Sequence, residues 1–96
     1  MHNIVISDGR REITFLNSTI KIKNYSTMIG ERHCNIIQDI ANAGLTDLYK
    51  ENHIDGFLCR LSNGTITFID RDNATRIAKK ANYPMIGSVL TSEDLW

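Results

Sequence analysis

The sequence predicts one α+β domain over residues 1–96, with an N-terminal antiparallel β-meander, a helix, a β-hairpin and a second helix (βββ-α-ββ-α). Three observations predict this class. Apolar and polar residues alternate near the start, apolar residues recur at helical intervals after Gly30, and an Asn-Gly pair separates two alternating runs. A chain of 96 residues that is 42% hydrophobic and 23% charged has room for one small core.

The first predicted element is a three-stranded meander between Asn3 and Lys23. Isoleucine and phenylalanine alternate there with polar residues, which indicates strands with one face in water. Asp8-Gly9 and Asn17-Ser18 supply the two predicted turns, because these residue types accept turn conformations. Residues 24–30 are rich in Ser, Thr and Gly and are predicted to be a connector.

The second predicted element is a helix from Glu31 to Ala43. Its apolar residues fall at helical intervals, and Gly44 stands where a helix commonly ends. The segment from Leu45 to Asp55 is predicted to be a loop, with a short turn around Asp47–Tyr49.

The third predicted element is a hairpin between Gly56 and Ile69, with a two-residue type I′ turn at Asn63-Gly64. That turn predicts a register in which Cys59 faces Phe68 and Phe57 faces Asp70. The predicted core side of the hairpin consists of five apolar residues, which are Phe57, Cys59, Leu61, Ile66 and Phe68.

The last predicted element is a helix capped by Asp70, whose carboxylate can accept from amides of the first turn, with Asp72 beside the positive end of the helix dipole. A stripe of small residues (Ala74, Ile77, Ala78 and Ala81) predicts close packing against the first helix or a neighbouring subunit. Asn82-Tyr83-Pro84 ends the helix.

The composition disfavours several classes of function. Eleven basic and eleven acidic residues give zero net charge, so no nucleic-acid partner is expected. No apolar run approaches the roughly 18 residues of a membrane span, and no membrane association or leader peptide is expected. The two cysteines, Cys34 and Cys59, show no secreted disulfide pattern.

Metal and catalytic chemistry are also not expected. The five candidate zinc ligands, which are His2, His33, Cys34, His53 and Cys59, lack metal-site spacing. Both cysteines are predicted to be core residues, although Arg32 and His33 beside Cys34 are surroundings that lower a thiol pKa. We therefore expect a protein without a metal, a cofactor or enzymatic activity.

An anion site is the one chemical prediction that remains. Arg32 and His33 open a helix, where free amides and the dipole favour negative charge, and an arginine can form forked bonds to phosphate. The alternative is that Arg32 pairs with Glu31 or Asp39 on a wet surface. Phe57, opposite Asp70 in the predicted register, offers a flat face for a base or is a plain core residue.

The order of short motifs resembles a known family. Arg32-His33 opens a helix, Gly56-Phe57-Leu58 begins a hairpin, Phe68-Ile69-Asp70-Arg71 leads into a small-residue helix, and Ser92-Glu93-Asp94-Leu95-Trp96 follows. Over Gly30 to Trp96 this succession resembles the anti-Thoeris sponge family of small bacteriophage proteins. That family sequesters cyclic ADP-ribose isomers made by bacterial TIR-domain defence enzymes.

The resemblance implies a protein in the cytoplasm of an infected bacterium that binds a cyclic nucleotide without cleaving it. It implies a homo-oligomer, a dimer or a hexamer, with ligand pockets at subunit boundaries, and the exposed apolar area of Trp96 favours an oligomer too. Carried over by position, Arg32 would hold the pyrophosphate and Phe57 would stack on adenine. Asp70 and Asp72 would accept from ribose hydroxyls.

The family pattern also places a basic residue after the second helix, whereas Asn82 to Leu90 contains no Lys or Arg. Lys79, Lys80 or Tyr83 would take its place. The alternative function is an inhibitor that blocks a host defence complex by direct protein contact.

Overall fold

The computed structural model describes residues 3–7, 9–23 and 25–96 and has the predicted α+β class. Five strands form one antiparallel sheet, and four helices accompany it. In chain order the elements are β1 (Ile4–Ser7), β2 (Glu12–Ile22), β3 (Thr27–Gly30), α1 (His33–Asn42), α2 (Thr46–Glu51), β4 (His53–Arg60), β5 (Ile66–Asp70), α3 (Arg71–Lys80) and α4 (Ser92–Leu95).

The long strand β2 organises the sheet. On one side it pairs with β4, and β4 pairs with β5. On its other side β2 pairs first with β1 and then with β3, so these two short strands lie along the same edge. All of these pairings are antiparallel.

The predicted turn at Asn17-Ser18 is wrong. The chain continues through these residues as β2, and the register shifts between Phe15 and Asn17, which marks a β-bulge. The bulge keeps a buried face on both halves of the strand: Phe15 and Ser18 are both 0% exposed. The third strand of the N-terminal region is β3, inside the predicted connector. Asp8, half of the other predicted turn, lies outside the described residues.

The hairpin of β4 and β5 has a different register from the predicted one. Cys59 pairs with Thr67 and Phe57 with Ile69, one residue away from the prediction. Asn63 is not among the residues with positive φ, whereas Gly64 has a φ of +87°, so a type I′ turn is excluded.

A three-residue loop takes the place of that turn. The amide of Gly64 donates to the carbonyl of Leu61 at 2.9 Å, and the amide of Leu61 donates to the carbonyl of Thr65 at 2.8 Å. This pattern is that of a type I turn followed by a left-handed glycine. The shift moves Phe68 and Ile66 to the opposite face from Phe57, and Ile66 is 57% exposed, so their predicted place on the core side is wrong.

The helices begin and end close to the predicted residues. Arg32 caps α1, and Gly44 follows its end with a φ of +73°. Asp70 caps α3 as predicted, because its Oδ1 accepts from the amide of Asn73 at 2.8 Å. The predicted loop after α1 instead contains α2 and the first residues of β4.

One face of the sheet carries the core, in two clusters. The first lies under α3 and α4, and the second lies under α1. The predicted stripe of small residues in α3 packs on β4 and β5 rather than on α1. The first cluster consists of Ile6, Ile13, Phe15, Phe57, Cys59, Ala74, Ile77, Ala78, Leu90 and Leu95, and the second of Ile20, Ile22, Ile36 and Ile40.

None of the helices in the described part of the chain has the length and apolar character that a bilayer crossing requires.

Candidate functional site

Most of the sequence motifs meet in space at the start of α1. Arg32, the N-cap residue, donates from its side chain Nη2 to the carbonyl oxygen of Trp96, at the end of α4. The backbone amide of Arg32 donates to Oδ1 of Asn35 at 3.2 Å, which holds the first turn of the helix. Arg32, the residue predicted to bind phosphate, therefore also connects α1 to the segment that follows Leu90.

His33 lies beside Arg32 but is a buried residue, with 9% exposure. Its Nε2 contacts the carbonyl oxygen of Gly56 in β4 at 3.0 Å, and its Nδ1 contacts the hydroxyl of Ser92 in α4. The backbone amide of His33 also donates to that hydroxyl, at 3.1 Å. Because both ring nitrogens have partners within the chain, the geometry gives His33 a role in joining α1, β4 and α4.

The hydrogen bonds around His33 identify its tautomer. The Gly56 carbonyl can only accept, so Nε2 carries a hydrogen. Burial lowers the pKa of His33 below its ordinary value, and the positive charge of Arg71 lowers that pKa further. In the neutral ring Nδ1 then accepts from the Ser92 hydroxyl. Ser18, whose hydroxyl lies 2.6 Å from that of Ser92 and 3.1 Å from the Glu31 carbonyl, can donate to one of these two oxygens at a time.

Phe57 is a core residue, the second of the two alternatives that the sequence left open. Its side chain is 0% exposed. The ring makes edge-to-face contacts with His33 at 5.3 Å and Phe15 at 5.5 Å, and the indole of Trp96 lies 6.4 Å away. These neighbours occupy the positions that a stacked base would need. They also show that Trp96 packs on its own domain, so its apolar area gives no reason to expect an oligomer.

A cleft of about 260 Å³ opens beside these contacts. This cleft suits an anion, because two arginines, Arg32 and Arg71, are among its lining residues. A guanidinium has five N–H donors and Arg32 is exposed, so its side-chain hydrogen bond to Trp96, the one found among the described residues, leaves other donors for a ligand. The remaining lining residues of this arginine cleft are His33, Cys34, Thr91, Ser92 and Glu93.

Arg71 is held in place by Asp55. Nη1 of Arg71 lies 3.4 Å from Oδ2 of Asp55, and each side chain is about three-quarters buried. Nε of Arg71 and Oδ1 of Asp55 are both buried without a hydrogen-bond partner in the described chain. Buried polar groups are normally paired, so Nε of Arg71 and Oδ1 of Asp55 can each still form a hydrogen bond beside the arginine cleft.

Asp70 and Asp72 line a second cleft, of about 270 Å³, on the other side of Arg71. His53 and Asp55 belong to the same cleft, with Nε2 of His53 3.7 Å from Oδ1 of Asp55. The Asp70 carboxylate is already engaged by Asn73, at 2.8 and 3.3 Å. Arg71 thus separates the arginine cleft from an acidic one.

Tyr83 does not lie with the other predicted ligand residues. Its hydroxyl donates to the carbonyl of Asp94 at 3.0 Å, and its ring packs against the first core cluster. Burial raises the pKa of Tyr83, and the negative charge of Asp94 raises it further. The contact anchors the segment after α3 and is directed away from both clefts.

The cysteines differ from each other in environment. Cys59 is buried as predicted, and burial raises its pKa to about 12. Cys34 is exposed, so its prediction as a core residue is wrong: it follows His33, the residue that turns inward. Within the described ranges no three or more His, Cys, Asp or Glu side chains group closely enough to hold a metal ion.

Sequence reasoning assigned no site role to three residues that organise this region, Gly56, Arg71 and Ser92. Each of them belongs to one of the short motifs of the sequence, and that membership is the one sign of their importance in the sequence. The neighbours of Gly56 explain its residue type, because a Cβ there would lie 2.6 Å from Cζ of Phe68. The roles of Arg71 and Ser92 depend on contacts with residues 16 and 59 positions away, which local pattern does not reveal.

Comparisons of the chain with protein-family models, with curated proteins and with solved structures find no match. A functional assignment therefore depends on the geometry of the arginine cleft and on the resemblance carried by the motifs.

Proposed function

We propose that this protein binds a phosphate-bearing cyclic nucleotide at the arginine cleft and holds it without breaking a bond. The observation that carries the proposal is that Arg32 and Arg71 line one cleft beside the start of α1. Two arginines in one small cleft suit a phosphate or pyrophosphate, because each guanidinium can form forked, charge-assisted hydrogen bonds. Asp55 supports this arrangement by fixing Arg71 from behind.

The size of the cleft supports a ligand that is shared between subunits. Pockets that enclose a small molecule usually have about 300–1,000 Å³, and the arginine cleft has about 260 Å³. A phosphate group fits this volume, whereas the base and ribose of a nucleotide extend beyond it. Since the ring of Phe57 is buried, the base needs a surface from outside this cleft. In an oligomer such as the resemblance implies, a second subunit on the helix side of the sheet would supply that surface.

The proposed biological role follows from the motif resemblance. The protein would act in an infected bacterial cytoplasm as a sponge for cyclic ADP-ribose isomers made by TIR-domain enzymes. Capture depletes a messenger only when affinity is high, about nanomolar, which corresponds to about 12 kcal/mol of binding free energy. Zero net charge is compatible with this role, because placed cations in a cleft act locally.

Calorimetry with a purified TIR-produced cyclic ADP-ribose isomer tests the proposal. We expect saturable binding, and we expect Arg71→Ala and Arg32→Ala each to weaken it by about 10- to 100-fold, as for the loss of a charge-assisted hydrogen bond. Arg76→Ala, an exposed arginine of α3 that does not line the cleft, is the matched control. Arg71→Lys keeps the charge near Asp55 and separates lost ligand contacts from lost folding.

Two results would overturn the proposal. Absence of binding heat at micromolar protein would exclude a sponge, and equal effects of Arg71→Ala and Arg76→Ala would exclude this cleft. Heating the complex and identifying the released nucleotide by chromatography tests the second half of the proposal, because a sponge returns the ligand intact. Retained anti-defence activity without any nucleotide binding would favour the inhibitor that acts by protein contact.

A further inference from the structure

The face of the sheet opposite the helices carries exposed apolar side chains from four strands. Val5 of β1 is 53% exposed, Ile29 of β3 is 50%, Ile54 of β4 is 51% and Ile66 of β5 is 57%. Each alternates along its strand with residues of the helix-covered face, so all four point the same way. With the half-buried Leu58 and Phe68 they form what we call the open sheet face.

We propose that a second copy of this chain packs on the open sheet face, forming a two-fold symmetric sandwich of two sheets. Antiparallel sheets normally bury one face and leave the other polar. Here the second face carries apolar side chains on both sides of the polar central strand β2, and exposed apolar side chains in this number are typical of a surface that is covered in the working assembly. Aligned packing of two such faces is a common arrangement of sheets.

The size of the face fits a stable dimer. Strand spacing makes four strands about 19 Å wide, and the 11 residues of β2 make the sheet about 36 Å long. Because β5 and the edge strands are shorter, the usable face is on the order of 600 Å², close to the roughly 800 Å² per partner of a standard interface. Interfaces of this size reach dissociation constants in the micromolar range or tighter.

The residues that β2 places on the open sheet face are complementary to the same residues of a second copy about one particular two-fold axis. An axis that lies between the two copies and crosses β2 near Leu16 brings the β2 strands face to face in opposite directions. Glu12 then lies opposite Lys21 of the second copy, since both are four or five positions from the axis on the same face. Val5 and Ile29 stand beside Thr14 and Thr19 of β2, so they lie opposite each other across the axis by the same symmetry.

Other residues of the face lie opposite one another by the same symmetry, including Ile66 opposite Asp70 of the second copy, because Ile66 pairs with Arg60 and Asp70 pairs with Gly56. Leu58 pairs with Asn17 and Phe68 pairs with Leu58, so both lie near the axis and meet their own copies. Arg60 pairs with Thr14 and Gly56 pairs with Thr19, so the long side chain of Arg60 lies opposite the Phe68 ring that covers Gly56 of the second copy. The zero net charge of the chain adds no overall repulsion between copies.

Sedimentation equilibrium of the purified chain tests this interface. We expect a mass twice that of the 10.9 kDa chain at 100 µM protein, and a dissociation constant raised at least tenfold by Ile29→Glu. Ile37→Glu is the matched control, because Ile37 is 43% exposed on α1, on the other side of the sheet, and the dimer should persist. Circular dichroism of each variant checks that the monomer is folded.

A charge-swap cycle tests the axis itself. Glu12→Lys and Lys21→Glu should each weaken the dimer, and the double variant should restore it to within about threefold of the original. A chain that stays at 10.9 kDa at 100 µM, an equal effect of Ile29→Glu and Ile37→Glu, or a double variant weaker than both single ones would each overturn the proposal. None of these residues lines the arginine cleft, so failure here is distinguishable from failure of nucleotide binding.

Discussion

Replacing Gly56 with alanine adds one methyl group at a crowded point of β4. A Cβ there would lie 2.6 Å from Cζ and 2.7 Å from Cε1 of Phe68, and against the carbonyl oxygen of Ile69. Carbon atoms in ordinary contact are about 3.5–4.0 Å apart, so the ring would have to move by about 1 Å. The carbonyl belongs to the neighbouring strand, which cannot retreat without disturbing the sheet.

The expected cost is that of overpacking a closely packed site, about 1–3 kcal/mol in the free energy of unfolding. For a domain of this size the melting temperature should fall by about 4–8 °C per kcal/mol. Lys21, whose ammonium lies 4.3 Å from the centre of the Phe68 ring, would lose part of that contact when the ring moves. Urea denaturation followed by circular dichroism measures the loss.

Gly87→Ala is the matched control for this prediction. Nothing lies within 4 Å of a Cβ at Gly87, and both substitutions restrict the unfolded chain equally. Phe68→Leu combined with Gly56→Ala should recover part of the loss, because the shorter side chain leaves room. If Gly56→Ala is within about 0.5 kcal/mol of the Gly87→Ala control, the crowding argument is refuted.

Three further predictions concern other parts of the chain. The free energy of unfolding should decrease as pH falls below about 6.5, because the unfolded chain then takes up a proton that buried His33 resists; His33→Gln should lessen this slope in urea titrations at pH 7.5 and 5.5. A thiol reagent at pH 8 should modify Cys34 rapidly and Cys59 only after unfolding. Gly64→Ala should cost about 1 kcal/mol or more, since Gly64 has a φ of +87°, and a urea melt measures the loss.

A specific result would contradict each of these three predictions. An equal pH slope in wild type and His33→Gln would show that another group controls the titration. Simultaneous labelling of both cysteines in the folded protein would contradict the burial of Cys59. A neutral Gly64→Ala variant would contradict the three-residue loop of the hairpin.

Local sequence predicted those features whose cause lies within a few residues. The carboxylate of Asp70 caps α3 because it accepts from an amide three residues away. Gly44 ends α1 because a left-handed residue is needed there and glycine adopts it without strain. The class and the order of the main elements follow from alternating and helical spacing in the same way.

The hairpin shows the limit of that reasoning. Asn63-Gly64 correctly marked the turn, but whether the loop has two residues or three depends on which face of β5 meets the core. Ile69 packs against the first core cluster, and Thr67 shares its face, so the register puts Phe68 on the other side. Side-chain alternation alone could not choose between two registers that each bury apolar residues.

The sequence by itself determined an α+β chain, the approximate bounds of α1 and α3, the cap of α3 and a group of residues at the start of α1 that can bind an anion. Only the tertiary structure decided that His33 joins three elements, that Phe57 is covered, and that Arg71 shares a cleft with Arg32. The physical reason is distance along the chain. These arrangements depend on contacts between residues tens of positions apart, whose geometry is set by sheet order and register rather than by local spacing.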